Sequence, residues 1–95
     1  MYTIYVKFNC FEGKREAFVE KMRAEGILDD IRNEDGCIRY DYYYSEEDPC
    51  VLLLIEQWKT KEDQQLHCTL PHMDRMREFK DGYIRDTVLG EITLN

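Results

Sequence analysis

The chain has 95 residues, of which 43% are hydrophobic and 35% are charged. A chain of this length can form one hydrophobic core, so we predict a single domain over residues 1–95. The 13 basic and 20 acidic residues give a net charge of -7. Such an acidic surface argues against nucleic-acid backbones and anionic membranes as partners.

Neither a membrane span nor a signal segment is predicted. The longest purely apolar run, Val51 to Ile55, is far shorter than the roughly 20 residues that cross a bilayer. The first ten residues alternate like a strand and lack the basic head and long apolar stretch of a secretory signal. We therefore expect a cytoplasmic protein.

The first predicted element is a strand from Tyr2 to Cys10, in which apolar and polar side chains alternate. After a turn at Gly13, apolar side chains at helical spacing predict a helix from Lys14 to about Glu34. Gly26 interrupts this run and indicates a kink or a break between two helices. The stretch Glu34-Asp35-Gly36 then predicts a stop and a turn.

Two further strands are predicted, from Cys37 to Ser45 and from Cys50 to Lys59. The polar loop between them ends in Pro49, which favours an antiparallel hairpin. In the first of the two, alternation places four side chains on one face: Ile38, Tyr40, Tyr42 and Tyr44.

Thr60 is a good N-cap for a short helix over residues 61–68. Pro71 suits the first turn of another helix, over residues 71–81, and a last strand is predicted from Val88 to Leu94. The order β-α-β-β-α-β predicts an α+β, ferredoxin-like fold. In that fold, helices cover one face of a four-stranded antiparallel sheet.

The second face of such a sheet would be largely apolar. It would carry Tyr5, Tyr43, Val51, Leu53 and Ile55. A small acidic protein is not expected to present so much apolar surface to water. We therefore predict a homodimer in which the two sheets cover each other.

The chain has four cysteines: Cys10, Cys37, Cys50 and Cys68. They form no CxxC pair, so a zinc site or a redox motif has little support. A disulfide framework is not expected in a cytoplasmic protein. We expect free, mostly buried thiols.

Residues that could carry chemistry are concentrated in one segment. They are Glu56, Trp58, His67 and His72. Glu56 and Trp58 lie on a strand face that meets the helices, where a carboxylate must be paired. Glu56 could instead form a structural hydrogen bond, Trp58 could be plain core packing, and the histidines could be surface or capping residues.

The same segment makes a poor metal site at the level of sequence. Two histidines are too few ligands; Glu56 is a conceivable third, but nothing has the spacing of a zinc motif. We therefore expect no metal. Tyr40 and Tyr42 are either core residues or the lining of a pocket whose phenols hydrogen-bond a polar ring ligand.

Taken in order, these features resemble the antibiotic biosynthesis monooxygenase superfamily, and its small quinol-monooxygenase-like members in particular. The matching stretches span nearly the whole chain. They are Gly13-Lys14 with Phe18, Glu34 to Tyr40, Glu56-Gln57-Trp58, His67, and Pro71-His72.

The resemblance implies a dimeric α+β barrel with a pocket between sheet and helices in each subunit. Many members oxidise phenols or quinols with O₂ and without flavin, metal or heme, because the substrate anion itself reacts with oxygen. On this basis we predict a cofactor-independent monooxygenase that acts on a small aromatic quinol. His72 and His67 would be catalytic, as proton acceptors or anion stabilisers. The substrate-binding residues would be Trp58, Tyr40, Tyr42 and Glu56.

Two other functions remain open. Some relatives isomerise a phosphorylated autoinducer sugar, and their sequences share the pattern from His67 to His72. The other possible function is that of a dimeric ligand-binding module without turnover. Cations near His72 would favour the isomerase, whereas an aromatic pocket would favour the oxygenase. A pocket blocked by side chains would favour the binding module. Heme degradation is disfavoured. The relatives that degrade heme use an asparagine and a histidine; in this chain the asparagine position holds Val6, and the histidine position falls near Met76 or Arg77.

Overall fold

The computed structural model describes residues 1–93. Its elements are β1 Tyr2–Cys10, α1 Arg15–Ala24, α2 Ile27–Arg32, β2 Cys37–Tyr44, β3 Val51–Trp58, α3 Lys61–His67, α4 Pro71–Lys80 and β4 Ile84–Glu91. The four strands form one sheet in the order β2-β3-β1-β4, with antiparallel pairing throughout. This is the ferredoxin-like α+β fold, so the predicted fold class is confirmed.

The long helical stretch is divided at Gly26, as its sequence indicates. Gly26 has a φ of 72° and immediately precedes α2. This left-handed conformation is costly for a residue with a Cβ atom, so glycine allows the chain to turn sharply between α1 and α2. After the turn, α2 packs against β2 and α4, and Glu34 lies close to the end of α3 and the start of α4.

The predicted start of the last strand was wrong, since β4 begins at Ile84 and not at Val88. Ile84 is buried and pairs with Cys10, but the polar pair Arg85-Asp86 that follows it obscures the strand pattern. An edge strand tolerates such residues because one of its sides stays in water. The predicted end, Leu94, lies outside the described residues.

The face assignment in β2 was wrong for Ile38, which is 48% exposed. The pairing of β2 with β3 shifts between Cys37 and Arg39. An extra residue at such a bulge reverses the alternation of side chains on one side of it. Cys37 therefore packs against the core, whereas Tyr40 and Tyr42 keep the helix-facing side.

The core lies between the sheet and the helices, with the ring of Phe18 at its centre. Phe18 has no exposed surface, and its ring centroid lies 5.7–6.4 Å from those of Phe8, Tyr42, Phe79 and Tyr83. Rings at such distances in tilted or edge-on arrangements attract each other beyond simple burial. This cluster fixes α1 and α4 on the sheet.

The opposite face of the sheet carries the predicted apolar side chains in adjacent positions. Tyr5 is paired with Ile55, and Tyr43 with Leu53. All of them are at least partly exposed, and Tyr43 reaches 45%. Within residues 1–93, no helix combines the length and apolar character that crossing a membrane requires.

All four cysteines lie in the described part of the chain, and each is a free thiol. Burial raises the pKa of Cys10 and of Cys37 to about 11. Thiols with such pKa values remain protonated at neutral pH and are poor nucleophiles. Neither of these two cysteines is therefore a candidate for covalent catalysis.

Candidate active site

A cavity of about 270 Å³ lies between the sheet and α4. Most of its wall is apolar and comes from β1, β3, β4 and α4: Ile4, Val6, Phe8, Leu54, Leu89, Met73 and Met76. Leu89 on the edge strand is 64% exposed, so the cavity opens to solvent beside β4. The volume and lining suit a small ring compound.

Polar side chains gather at the inner end of the cavity, where Tyr40, Glu56 and His67 meet. Each of the three is at most 5% exposed. Strand alternation in β3 explains the placement of Glu56, because its neighbours on the same face, Leu54 and Trp58, are buried core residues. The sequence therefore places a carboxylate at the end of an otherwise apolar pocket.

Burial raises the pKa of Glu56 to about 7, and the nearby charge of Glu34 adds to this effect. The opposing influence is a hydrogen bond of 3.0 Å that the indole Nε1 of Trp58 donates to Glu56 Oε1. A carboxyl group with a pKa near neutrality can exchange a proton under physiological conditions.

His67 is the last residue of α3, a helix whose start is fixed by the Thr60 side chain as it accepts the Asp63 amide at 3.1 Å. The imidazole packs on the Trp58 indole, with ring centroids 4.6 Å apart. Burial lowers the pKa of His67, while its bond to Glu34 opposes that shift. His67 is therefore mainly neutral at pH 7.

Glu34 fixes the orientation of the His67 ring through a hydrogen bond to the ring nitrogen Nδ1. His67 Nδ1 lies 2.8 Å from Glu34 Oε2, and because a carboxylate can only accept, Nδ1 carries the ring proton. The other nitrogen, Nε2, then holds a free electron pair. Since His67 lines the cavity, this is the nitrogen available to a ligand.

His72, in the first turn of α4, binds the same carboxylate oxygen. Its Nε2 lies 2.8 Å from Glu34 Oε2, and the Glu34 side chain is only 10% exposed. We call the three residues Glu34, His67 and His72 the carboxylate clamp. It ties the turn after α2 to the junction of α3 and α4.

The expected arrangement of His67, His72 and Trp58 around one cavity differs from the observed one. Of the three, only His67 lines it. Trp58 lies behind the His67 ring and lines a depression on the other side. The bond to Glu34 holds the His72 ring in the clamp.

Of the two predicted lining tyrosines, Tyr40 lies in the cavity wall and Tyr42 lies behind it. Tyr40 lines the cavity, and its ring lies 5.9 Å from the His67 ring. Tyr42 packs edge-on against Tyr40, and its buried hydroxyl has no hydrogen-bond partner among the described residues. Burial raises the pKa of both phenols, so both remain protonated at neutral pH.

Two cations from α4, Arg77 and Lys80, line the cavity. The guanidinium of Arg77 is already bound, to Asp74 at 3.0 Å and to the Cys68 carbonyl at 2.6 Å. The Lys80 ammonium lies over the Phe8 ring, 5.8 Å from its centroid. Lys80 is therefore the more available positive charge for an anionic ligand.

Sequence reasoning missed Glu34 and Lys80 as residues of the site. The local pattern around Glu34 indicates only the end of a helix, because its contacts lie 33 and 38 positions further along the chain. Lys80 falls in the last turn of α4, where a basic residue is common for electrostatic reasons. Glu34 begins one of the stretches that carry the family resemblance, but that stretch does not indicate what the side chain contacts, and Lys80 has no neighbouring motif.

The fold and the cavity together define a small α+β protein with a mainly apolar cavity between its sheet and helices. Residues 1–78 match the sequence profile of the family described as antibiotic biosynthesis monooxygenase. The chain therefore belongs to the antibiotic biosynthesis monooxygenase family. A search of functionally curated proteins gave no significant match.

Solved structures with the same fold come from several bacteria. A Nitrosomonas europaea protein named for this family is 25% identical, has a TM-score of 0.85, and the match covers 99% of this chain and 98% of that one. A Pseudomonas aeruginosa protein is 21% identical with a TM-score of 0.85, over 99% and 93% of the two chains. A Bacteroides thetaiotaomicron protein described as a possible oxidoreductase is 20% identical with a TM-score of 0.80, over 98% and 96%.

Proposed function

We propose that this protein is a cofactor-independent monooxygenase that oxidises a small aromatic quinol or phenol with O₂. One observation carries the proposal: an apolar cavity of ring-compound size ends on His67 and Glu56, two groups that can hold or take a proton near neutral pH. A quinol needs an apolar wall for its ring and a proton acceptor for its hydroxyl.

In this mechanism the quinol ring lies between the β1–β3 wall and the methionines of α4. Nε2 of His67 accepts the hydroxyl proton, and the Glu34 carboxylate behind the ring stabilises the imidazolium that results. Glu56, when ionised, stabilises it from the cavity side. The electron-rich anion then reacts with O₂: one oxygen atom forms a bond to a ring carbon, the other leaves as water, and the ring, which supplies the four electrons, ends as a quinone.

The remaining predicted residues have supporting roles in this proposal. His72 acts through Glu34 as a positioning residue, and Trp58 holds both the His67 ring and the Glu56 carboxylate. Tyr40 offers its hydroxyl to the substrate, and Tyr42 keeps the Tyr40 ring in place. Lys80 attracts the anion to the cavity.

A phosphosugar isomerase is the second candidate, and the presence of Arg77 and Lys80 at the cavity favours it. Arg77 is already occupied by Asp74 and a backbone carbonyl. The Glu56 carboxylate, when ionised, would repel a doubly charged phosphate group at the inner end more strongly than a singly charged quinol anion. The mainly apolar lining and the carboxylate at the inner end therefore favour a quinol over a phosphosugar. A binding module without turnover is a further outcome that the test distinguishes.

The test measures oxygen uptake and product mass with a panel of one- to three-ring quinols and, in parallel, isomerisation of phosphorylated ketoses. We expect oxygen uptake with at least one quinol and no isomerisation of any phosphorylated ketose. Leu89→Trp should block the cavity mouth, because Leu89 is exposed and lines it, and uptake should fall at least about tenfold. Glu78→Trp adds the same side chain at an exposed position of α4 and should leave uptake unchanged. Turnover of a phosphosugar alone would overturn the proposal.

We also propose a cytoplasmic homodimer joined through the apolar sheet faces. Those faces present Tyr5, Tyr43, Leu53 and Ile55, and a stable dimer of this kind typically buries more than roughly 2,000 Å². The free cysteines suit a reducing compartment. Sedimentation at micromolar concentration should give twice the chain mass of 11.5 kDa, and Leu53→Glu should shift it towards the monomer. A wild-type monomer would contradict this assignment.

A further inference from the structure

We propose that the carboxylate clamp is a binding site for a divalent transition-metal ion of the Zn²⁺ class, a site that shares only His67 with the quinol cavity. The clamp offers two imidazole nitrogens and one carboxylate oxygen, and these three atoms lie within 4.8 Å of one another. Two histidines and one carboxylate form the protein part of many metal sites that keep an open position for solvent.

The ligand atoms are near one another, but an ion would require them to move. Tetrahedral Zn²⁺ with bonds of about 2.0–2.1 Å separates its ligand atoms by about 3.3 Å. Glu34 Oε2 now lies 2.8 Å from His67 Nδ1 and from His72 Nε2. Each O···N separation must therefore lengthen by roughly half an ångström, and the two nitrogens, which lie within 4.8 Å of each other, must come to about 3.3 Å to admit an ion with bonds of that length.

The clamp is also well supported. The His67 ring packs on Trp58, with centroids 4.6 Å apart, and His72 follows Pro71, whose ring restricts the first turn of α4. Metal ligands whose orientations are already fixed lose little freedom when the ion binds. This rigidity favours a specific ion site over a flexible surface pair.

An acidic depression gives an ion access to the clamp from solvent. It has a volume of about 410 Å³, and Glu34 and Trp58 form part of its wall. Among the described residues that line it, Glu34, Asp35 and Asp63 are acidic and none is basic. A concave surface with this charge attracts cations, and it leaves room for a solvent molecule on the ion.

Metal binding would alter the quinol cavity. An ion on His67 Nδ1 displaces the single ring proton from that nitrogen, and the neutral ring then takes up a proton from solvent on Nε2. His67 would then present a donor to the cavity where the free protein presents an acceptor. The metal site thus goes beyond the proposed oxygenase function, and its existence can be tested without any substrate.

The first test is a titration of the full chain with Co²⁺, followed by its visible absorption, and with Zn²⁺, followed by calorimetry. We expect one ion per chain. Glu34→Gln and His72→Gln should each weaken binding by more than about 100-fold, since loss of a supporting residue outside the ligand set already costs 10–100-fold. Glu47→Gln, which changes an exposed carboxylate in the β2–β3 turn, and Cys68→Ser should retain wild-type affinity. Absence of stoichiometric binding, or equal binding by Glu34→Gln, would overturn the proposal.

A second measurement needs no variant, so it holds even if Glu34→Gln fails to fold. The chain contains only two histidines, and both belong to the clamp. Ring ¹⁵N resonances of the wild-type protein should therefore shift for both histidines as one equivalent of Zn²⁺ is added. Unchanged histidine resonances at saturating Zn²⁺ would place any bound ion elsewhere and refute the site.

Discussion

His67→Gln is expected to lower kcat for a confirmed quinol substrate by about 10²–10⁴-fold, the usual effect of losing a general base. Glutamine retains a donor for Glu34 but has no group that accepts a proton at neutral pH. KM should change little, because the apolar wall of the cavity remains. Steady-state oxygen uptake gives both constants.

His72→Gln is the matched control for this effect. His72 lies in the carboxylate clamp and does not line the cavity, so its replacement should leave the Nε2 atom of His67 available. The loss in kcat should be much smaller, and the pH profile should keep its shape. Equal losses in the two variants, or full activity of His67→Gln, would contradict the role given to His67. Denaturant unfolding of both variants checks that each is folded.

Glu56→Gln is expected to make the protein more stable at high pH while it reduces activity. In the folded protein, burial raises the pKa of Glu56 from 4.5 to about 7. At about pH 4 the carboxyl group is protonated in both folded and unfolded states, so it creates no penalty. As the pH rises from 4.5 to 7, the unfolded chain releases this proton while the folded protein retains it, and the free energy of unfolding falls by about 3 kcal/mol. Above pH 7 the folded protein holds the buried charge and the loss is complete.

Glutamine removes that penalty and can still accept the Trp58 hydrogen bond. The gain in unfolding free energy over wild type should therefore be about 3 kcal/mol larger at pH 8 than at pH 4, as urea denaturation can measure. Glu47→Gln changes an exposed carboxylate in the β2–β3 turn and should give no such difference. A pH-independent effect of Glu56→Gln would show that the carboxyl group has no raised pKa.

Much of the fold can be predicted from local patterns in this chain. Alternation over Tyr2–Cys10, the glycine at position 26 and the Thr60 cap each identify an element correctly, because each depends on residues that are close in sequence. The bulge at Ile38 and the start of β4 were mispredicted. Both depend on pairing with a neighbouring strand, which a local pattern does not contain.

The candidate site was predictable only in part. Strand alternation and the family resemblance point to Glu56 and Tyr40, and the histidines stand out because the chain has just two. Their grouping around Glu34 depends on the packing of α3 and α4 against the turn after α2. Glu34 is separated from His67 by 33 positions in the sequence and from His72 by 38. The spacing of these three residues gives no indication that they are in contact.

The proposed oxygenase function depends most on whether the cavity binds a quinol and takes its proton. An anaerobic titration of a two-ring quinol at about pH 7.5, followed by absorption, tests both, because the anion and the neutral quinol have different spectra. We expect one quinol per chain, bound as the anion, and loss of this spectrum in Leu89→Trp and in His67→Gln. A quinol that does not bind, or that binds and remains neutral in the wild-type protein, would contradict the proposed function.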